Sequence, residues 1–183
     1  TPEMLRGNIK ETKKYTQKPF GVNFITENPD LEKLLDIIIE EGVAVASYGK
    51  GDPKRIIERT KPHGIINLPT VGTVSHAIRS EEYGADAIII QGTEGGGHTG
   101  FVASSVLIPL VADKVSIPVV AAGGFGDGRG LLAALALGAE GVSMGSRFMA
   151  TQECPIPLHV KEWMVRSGEQ DTIVTDNLTG VRC

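Results

Sequence analysis

Ile117-Pro118-Val119-Val120-Ala121-Ala122-Gly123-Gly124-Phe125-Gly126 carries an apolar run straight into a glycine turn, and Glu140-Gly141-Val142-Ser143-Met144-Gly145-Ser146 repeats the arrangement one helix later. Between them Arg129–Leu137, closed by Gly138, reads as a helix; after the second turn Val160–Val165 reads as another. Short apolar runs without alternation, separated by helical sequence, are the pattern of parallel strands covered on both faces.

Four further runs upstream have the same form. Phe20–Phe24 precedes a helix at Leu31–Glu41, with an apolar stripe of Leu31, Leu34, Leu35 and Ile38 and a start marked by Asn28-Pro29-Asp30. Val43–Ala46 precedes Asp52-Pro53 and a helix through Ile56-Ile57. His63–Leu68 precedes a helix from Thr73-Val74-Ser75 to Gly84, and Ala85–Gln91 precedes a glycine loop and a helix at Val106–Val115. The chain opens in helical sequence, with Met4, Leu5 and Ile9 spaced along one face after Pro2. No linker or low-complexity stretch interrupts residues 1–183, which read as a single domain.

Six βα units fit an open sheet or a barrel. An open dinucleotide-binding sheet carries its glycine fingerprint after the first strand; here the glycine turns come late. Barrels often build a phosphate site from the loops after strands 7 and 8. The expectation is an α/β fold, a TIM (β/α)8 barrel in which the six runs are strands 3 to 8. Such barrels take about 250 residues, so 183 residues predict a barrel incomplete at the N-terminus, with two βα units lacking.

The chemistry gathers where strands run into glycine. Ala87-Ile88-Ile89-Ile90 leads into Gly92-Thr93-Glu94-Gly95-Gly96-Gly97-His98-Thr99-Gly100. Glycine allows positive φ and close approach of backbone to a ligand, and an imidazole titrates near neutrality. His98, just past a strand's C-terminal end, is the candidate general base; the alternative is a loop histidine hydrogen-bonded for structure. Gly123-Gly124 and Gly145-Ser146 offer backbone N–H groups at helix starts, with the Ser146 hydroxyl as a further donor, suited to a phosphate. Alternatively the glycines only turn the chain. Asn23, Gln91 and Thr70 place amide and hydroxyl groups at strand ends, suited to the edge of a flat polar heterocycle. Together they suggest a flavin mononucleotide (FMN) under His98.

Other features read as scaffold. His63, His76 and His159 are expected to be solvated or structural. Asp127 is expected to cap a helix, Leu131–Ala139 to pack closely on the sheet, and Cys154-Pro155-Ile156-Pro157 to form a stiff turn. No His/Cys/carboxylate spacing suggests a metal. A net charge of −4 without a Lys/Arg stripe argues against nucleic acid or an anionic membrane as partner. No apolar run approaches the roughly 18 residues of a membrane span. Cys154 and Cys183 give no disulfide framework, and a reducing, cytoplasmic setting is expected. Unclosed edge strands predict association, with a homodimer as the simplest form.

The ordered set Phe20-Gly21-Val22-Asn23, Pro69-Thr70-Val71-Gly72, Glu94-Gly95-Gly96-Gly97-His98-Thr99-Gly100, Ala122-Gly123-Gly124-Phe125-Gly126-Asp127-Gly128-Arg129-Gly130, Met144-Gly145-Ser146-Arg147-Phe148 and Glu153-Cys154-Pro155 resembles the nitronate monooxygenases, also called 2-nitropropane dioxygenases, over essentially the whole chain. The resemblance implies an FMN-bound TIM barrel that oxidises alkyl nitronates or nitroalkanes with O2, releasing a carbonyl compound and nitrite. It implies that His98 removes the α-proton of a neutral nitroalkane, that Gly123, Gly124, Gly145 and Ser146 grip the phosphate, and that Asn23, Thr70, Gln91, Gly97 and Met144 lie beside the flavin. It also implies a further strand with flavin contacts before Thr1 and an extension past Arg182, and it makes Ser143 a departure where relatives often carry Gln or Asn. A flavin-dependent enoyl-acyl-carrier-protein reductase, using a nicotinamide cofactor, resembles the same loop pattern and stays open as an alternative. So does a catalytically silent flavin- or phosphate-binding barrel.

Overall fold

The structure, a computed structural model, describes residues 1–177, 180 and 183; Arg182 lies outside them. Six strands form one parallel sheet in sequence order: β1 (Gly21–Ile25), β2 (Val45–Gly49), β3 (Ile66–Val71), β4 (Ile88–Gln91), β5 (Val119–Ala122) and β6 (Gly141–Ser143). Helix α1 (Pro2–Tyr15) precedes β1. Crossovers are made by α2 (Leu31–Glu40), α3 (Lys54–Thr60), α4 (Val74–Glu82), α5 (Ser104–Ala112) and α6 (Gly128–Ala136). A single-turn α7 (Ser146–Met149) and α8 (Leu158–Arg166) follow β6. Each strand pairs with the next in the chain, giving the curled half of a TIM barrel.

Register explains which side chains meet. Asn23 pairs with Ser47, and Ser47 with Leu68; Ile25 pairs with Gly49, Gly49 with Thr70, Thr70 with Ile89, and Ile89 with Val120. These residues share the concave face, because side chains alternate along a strand. Phe24, Ala46, Tyr48, Ile88, Ile90 and Ala121 point the other way and are buried. Leu35, Ile38, Ile56 and Ile57 cover one half of that convex face; Leu107, Ile108, Val111 and Ala134 cover the other. A fully buried Leu or Ile contributes about 1.5–3 kcal/mol before chain entropy is counted.

The continuous apolar runs predict strands covered on both faces, and here the structure differs. Only the convex face is sealed: on the concave side Ile25 is 48% exposed and Asn23 is exposed too. The sheet curls without closing among the described residues, so the would-be barrel interior is an open cleft.

Two boundaries also moved. The run read as Val43–Ala46 becomes β2 at Val45–Gly49. Tyr48 is 1% exposed, with its ring 5.5 Å from that of Phe24 and its hydroxyl donating to Asn67 Oδ1 at 3.1 Å. The run read as His63–Leu68 becomes β3 at Ile66–Val71, with His63 closing a short 3-10 turn before it. The strand continues through Pro69, and pairing with β4 starts only at Thr70. The stretch Leu131–Ala139, expected to pack closely, is helical only to Ala136 at the end of α6; it packs on the sheet through Ala134, while Leu132 and Leu135 stay 69% and 45% exposed.

Candidate active site

The C-terminal strand ends surround a cleft of about 1380 Å³. Its floor and walls include Asn23, Ser47, Thr70, Gln91, Ala122 and Ser143, and His98 lies on its rim. The structure thus brings Asn23, Thr70, Gln91 and His98 to one space. Gly123, Gly124, Met144, Gly145 and Ser146 are not in that lining; they continue the chain just beyond Ala122 and Ser143, at the same end of the sheet.

One side of the cleft is built from side chains. The Asn23 amide donates to Ser47 Oγ at 3.1 Å across the β1–β2 register. Thr70 stands opposite Gly49, which leaves its hydroxyl uncrowded from that strand. Behind this wall, on the convex face, Tyr48, Thr60 and Asn67 form a buried polar set: Thr60 Oγ1 lies 3.0 Å from Asn67 Oδ1, and Asn67 N–H donates to Asp86 at 2.8 Å. Burial raises the Tyr48 phenol well above its ordinary value.

The other side is built from backbone. Gln91 donates its amide to the carbonyls of Gly96 at 3.2 Å and His98 at 3.0 Å, so it braces the loop that carries the histidine. Thr99 Oγ1 donates to the Gly92 carbonyl at 2.9 Å and Thr93 N–H to the Val102 carbonyl at 2.9 Å, folding the loop on itself. Gly123 and Gly124 both take positive φ, +100° and +76°. A Cβ on Gly123 would stand 3.0 Å from both Gly95 N and Ser104 Oγ, so only glycine lets this turn and the histidine loop lie together. Gly145 stands at the N-cap of α7, which has no side-chain cap. The N-terminus of α6, by contrast, is capped by Asp127, which accepts from Arg129 N at 2.9 Å and Gly130 N at 3.2 Å. The Arg129 guanidinium holds the Asp127 carboxyl down to about 2. Arg147 Nε donates to the Gly126 carbonyl at 2.5 Å and ties α7 to that turn.

Some site features lay beyond the sequence reading. Glu94 and Ser104 join the histidine loop to α5, with Ser104 Oγ 3.0 Å from Glu94 Oε2. An acid placed ahead of a helix that starts with serine is the signal that could have marked them. His76, expected to be solvated, lines the cleft from the first turn of α4. No group of His, Cys, Asp and Glu able to hold a metal occurs among the described residues, and no helix there is long and apolar enough to cross a membrane.

A family model for nitronate monooxygenase matches residues 1–183. The chain belongs to the nitronate monooxygenase family. Within and around it, a probable nitronate monooxygenase of Staphylococcus saprophyticus is 39% identical over 168 residues, covering 85% of this chain and 47% of that protein. A (3aS,4S,5R,7aS)-5-hydroxy-7a-methyl-1-oxo-octahydro-1H-indene-4-carboxyl-CoA dehydrogenase of Rhodococcus jostii is 48% identical over 177 residues, covering 97% and 50%. The structure of FabK from Thermotoga maritima superposes with a TM-score of 0.97 at 44% identity, covering all of this chain and 59% of that one. This nitronate monooxygenase-family chain spans about half the length of the curated relatives it matches.

Proposed function

We propose that the chain is a single FMN-binding barrel domain, β1–β6 standing as strands 3 to 8, that oxidises alkyl nitronates and nitroalkanes with O2 to a carbonyl compound and nitrite. Family membership supports a flavin-dependent oxidoreductase. The observation that carries the finer reading is the convergence of His98 with Asn23, Thr70 and Gln91 on one cleft, flanked by glycine turns at the ends of β5 and β6. The residues present fit the cofactor: a turn that a Cβ would fill at Gly123, an uncapped helix start at Gly145-Ser146, and polar strand ends beside them. The turns would hold the phosphate and the amides the ring edge. A bound flavin supplies the electron acceptor that the side chains lack.

The chain's own work is then acid–base and steric. His98, on a loop braced by Gln91, removes the α-proton of a neutral nitroalkane; Asn23 and Thr70 position the ring edge.

The experiment is O2 uptake and nitrite release with ethylnitronate and with neutral nitroethane, for wild type and His98→Asn. We expect the variant to keep most ethylnitronate turnover and to lose nitroethane turnover by about 10²–10⁴-fold. Equal loss on both substrates, or on neither, would remove the base assignment.

A second reading has its own support. The identity to the CoA-ester dehydrogenase is 48%, against 39% to the probable nitronate monooxygenase. It makes the substrate an acyl thioester and the reaction a dehydrogenation or, in reverse, an enoyl reduction with a nicotinamide cofactor. Anaerobic mixing separates the two: bleaching of the protein by NADH and recovery with an enoyl thioester favours the second, nitronate-dependent O2 uptake without NADH the first.

A further inference from the structure

We propose that Ser104 and Glu94 are positioning residues that clamp the His98 loop to the Gly123-Gly124 turn, so that filling the turn and placing the histidine are one equilibrium. The proposal rests on reading that loop and turn as the site.

Ser104 is the first residue of α5 and only 4% exposed. Its Oγ lies 3.0 Å from Glu94 Oε2, 3.1 Å from the Gly123 carbonyl and 3.3 Å from the Ala122 carbonyl. Its N–H donates to both oxygens of the Glu94 carboxylate, at 3.2 and 3.1 Å. The carboxylate therefore sits on the N-terminus of α5, where the helix dipole favours it. Ala103, at the cap position, supplies no side-chain acceptor of its own.

Three acceptor oxygens converge on a hydroxyl with one proton. Two belong to the end of β5 and its turn, the third to the histidine loop. A ligand that draws the Gly123 peptide changes the share of that proton left for Glu94, which lies only one turn of loop from His98. The packing leaves no slack to absorb such a change. A Cβ on Gly92 would overlap Ser104 Oγ, and one on Gly123 would touch both Ser104 Oγ and Gly95 N. Gly92 N–H also donates to the Ala122 carbonyl at 3.0 Å, closing the junction from the strand side. Ser104 is not in the lining of the cleft, so its effect is exerted through the loop and the turn.

The test measures amide exchange of the loop and binding of FMN and riboflavin, which differ by the phosphate. In wild type, FMN is expected to slow exchange at residues 95–98 more than riboflavin does. Ser104→Ala and Glu94→Ala are expected to speed apo-protein exchange there about tenfold and to weaken FMN about tenfold, with riboflavin binding changed less than about threefold. Glu94→Gln, which keeps an acceptor oxygen for the Ser104 N–H, is expected to recover most of both. If Ser104→Ala does not fold, Ser104→Cys keeps the size and weakens the hydrogen bond, and takes its place in both measurements. Faster loop exchange in a protein that binds neither flavin would uphold the clamp and end the flavin reading. Normal flavin binding with unchanged loop exchange would overturn the clamp. So would exchange raised uniformly across the sheet with the FMN-to-riboflavin ratio unchanged, since that is a loss of general stability.

Discussion

The two walls of the cleft present their polar groups by different means. Along β1–β3 the functional groups are side chains, Asn23, Ser47 and Thr70, standing on a regular ladder backed by a sealed core. Along β4–β6 they are mostly backbone groups, at the turns Gly92–Gly100 and Gly123-Gly124, which pack on one another at the edge of the cleft, and at Gly145 just beyond β6. A side-chain wall can be trimmed one group at a time, because the strand beneath keeps its own hydrogen bonds. The backbone wall has less reserve at its junction: a Cβ on Gly92, Gly95 or Gly123 would meet a neighbouring segment at 3.0 Å or less.

The contrast is tested hardest by Gly123→Val. The residue must abandon φ +100° or collide with Gly95 and Ser104. We expect about 100-fold weaker FMN binding, or loss of soluble protein, read by flavin fluorescence on titration. Asn23→Ala on the opposite wall is expected to cost only about 3- to 10-fold in the same titration, with the fold unchanged by circular dichroism. Equal losses from the two substitutions would erase the distinction between the walls.

Smaller effects concern what stands behind each wall. Tyr48→Phe removes a buried hydrogen bond to Asn67 and is expected to cost about 1 kcal/mol, lowering the melting temperature by about 2–4 °C. The Tyr48 phenol titrates higher in the folded than in the unfolded chain, where it sits near 10. Its contribution is therefore complete below pH about 10 and is lost as pH rises toward the folded value. Urea unfolding above pH 10 should show a steeper decline for wild type than for Tyr48→Phe. On the other side, Asp127 is held at about 2, below the ordinary aspartate value. Its contribution is present above the unfolded value near 4 and disappears as pH falls toward 2. Asp127→Asn keeps a capping oxygen but loses the charge, so it should flatten that acid limb by lowering stability at neutral pH towards the level wild type reaches in acid.

Much of this was legible in the order of residues. The six strands, their helices and the late glycine turns follow from local pattern, and the same pattern singles out His98 as a candidate base. Tyr48 and Pro69 both lie past the ends of the runs read from sequence; burial of Tyr48, and β3–β4 pairing that begins only at Thr70, let the strands run on through them. Bracing of the Gly96 and His98 carbonyls by the Gln91 amide is a second assignment for a residue read as a ligand for the heterocycle. That assignment depends on how the loop folds back, which no spacing rule reports.

The sequence by itself determined the parallel βα framework, the family and the residue types at the strand ends, since these depend on period, turn chemistry and motif order. Only the tertiary structure decided that the concave face is open, that one wall is side chain and the other backbone, and that Glu94 and Ser104 meet. Those facts arise from contacts between segments far apart in the chain, where distance in space is set by how the sheet curls.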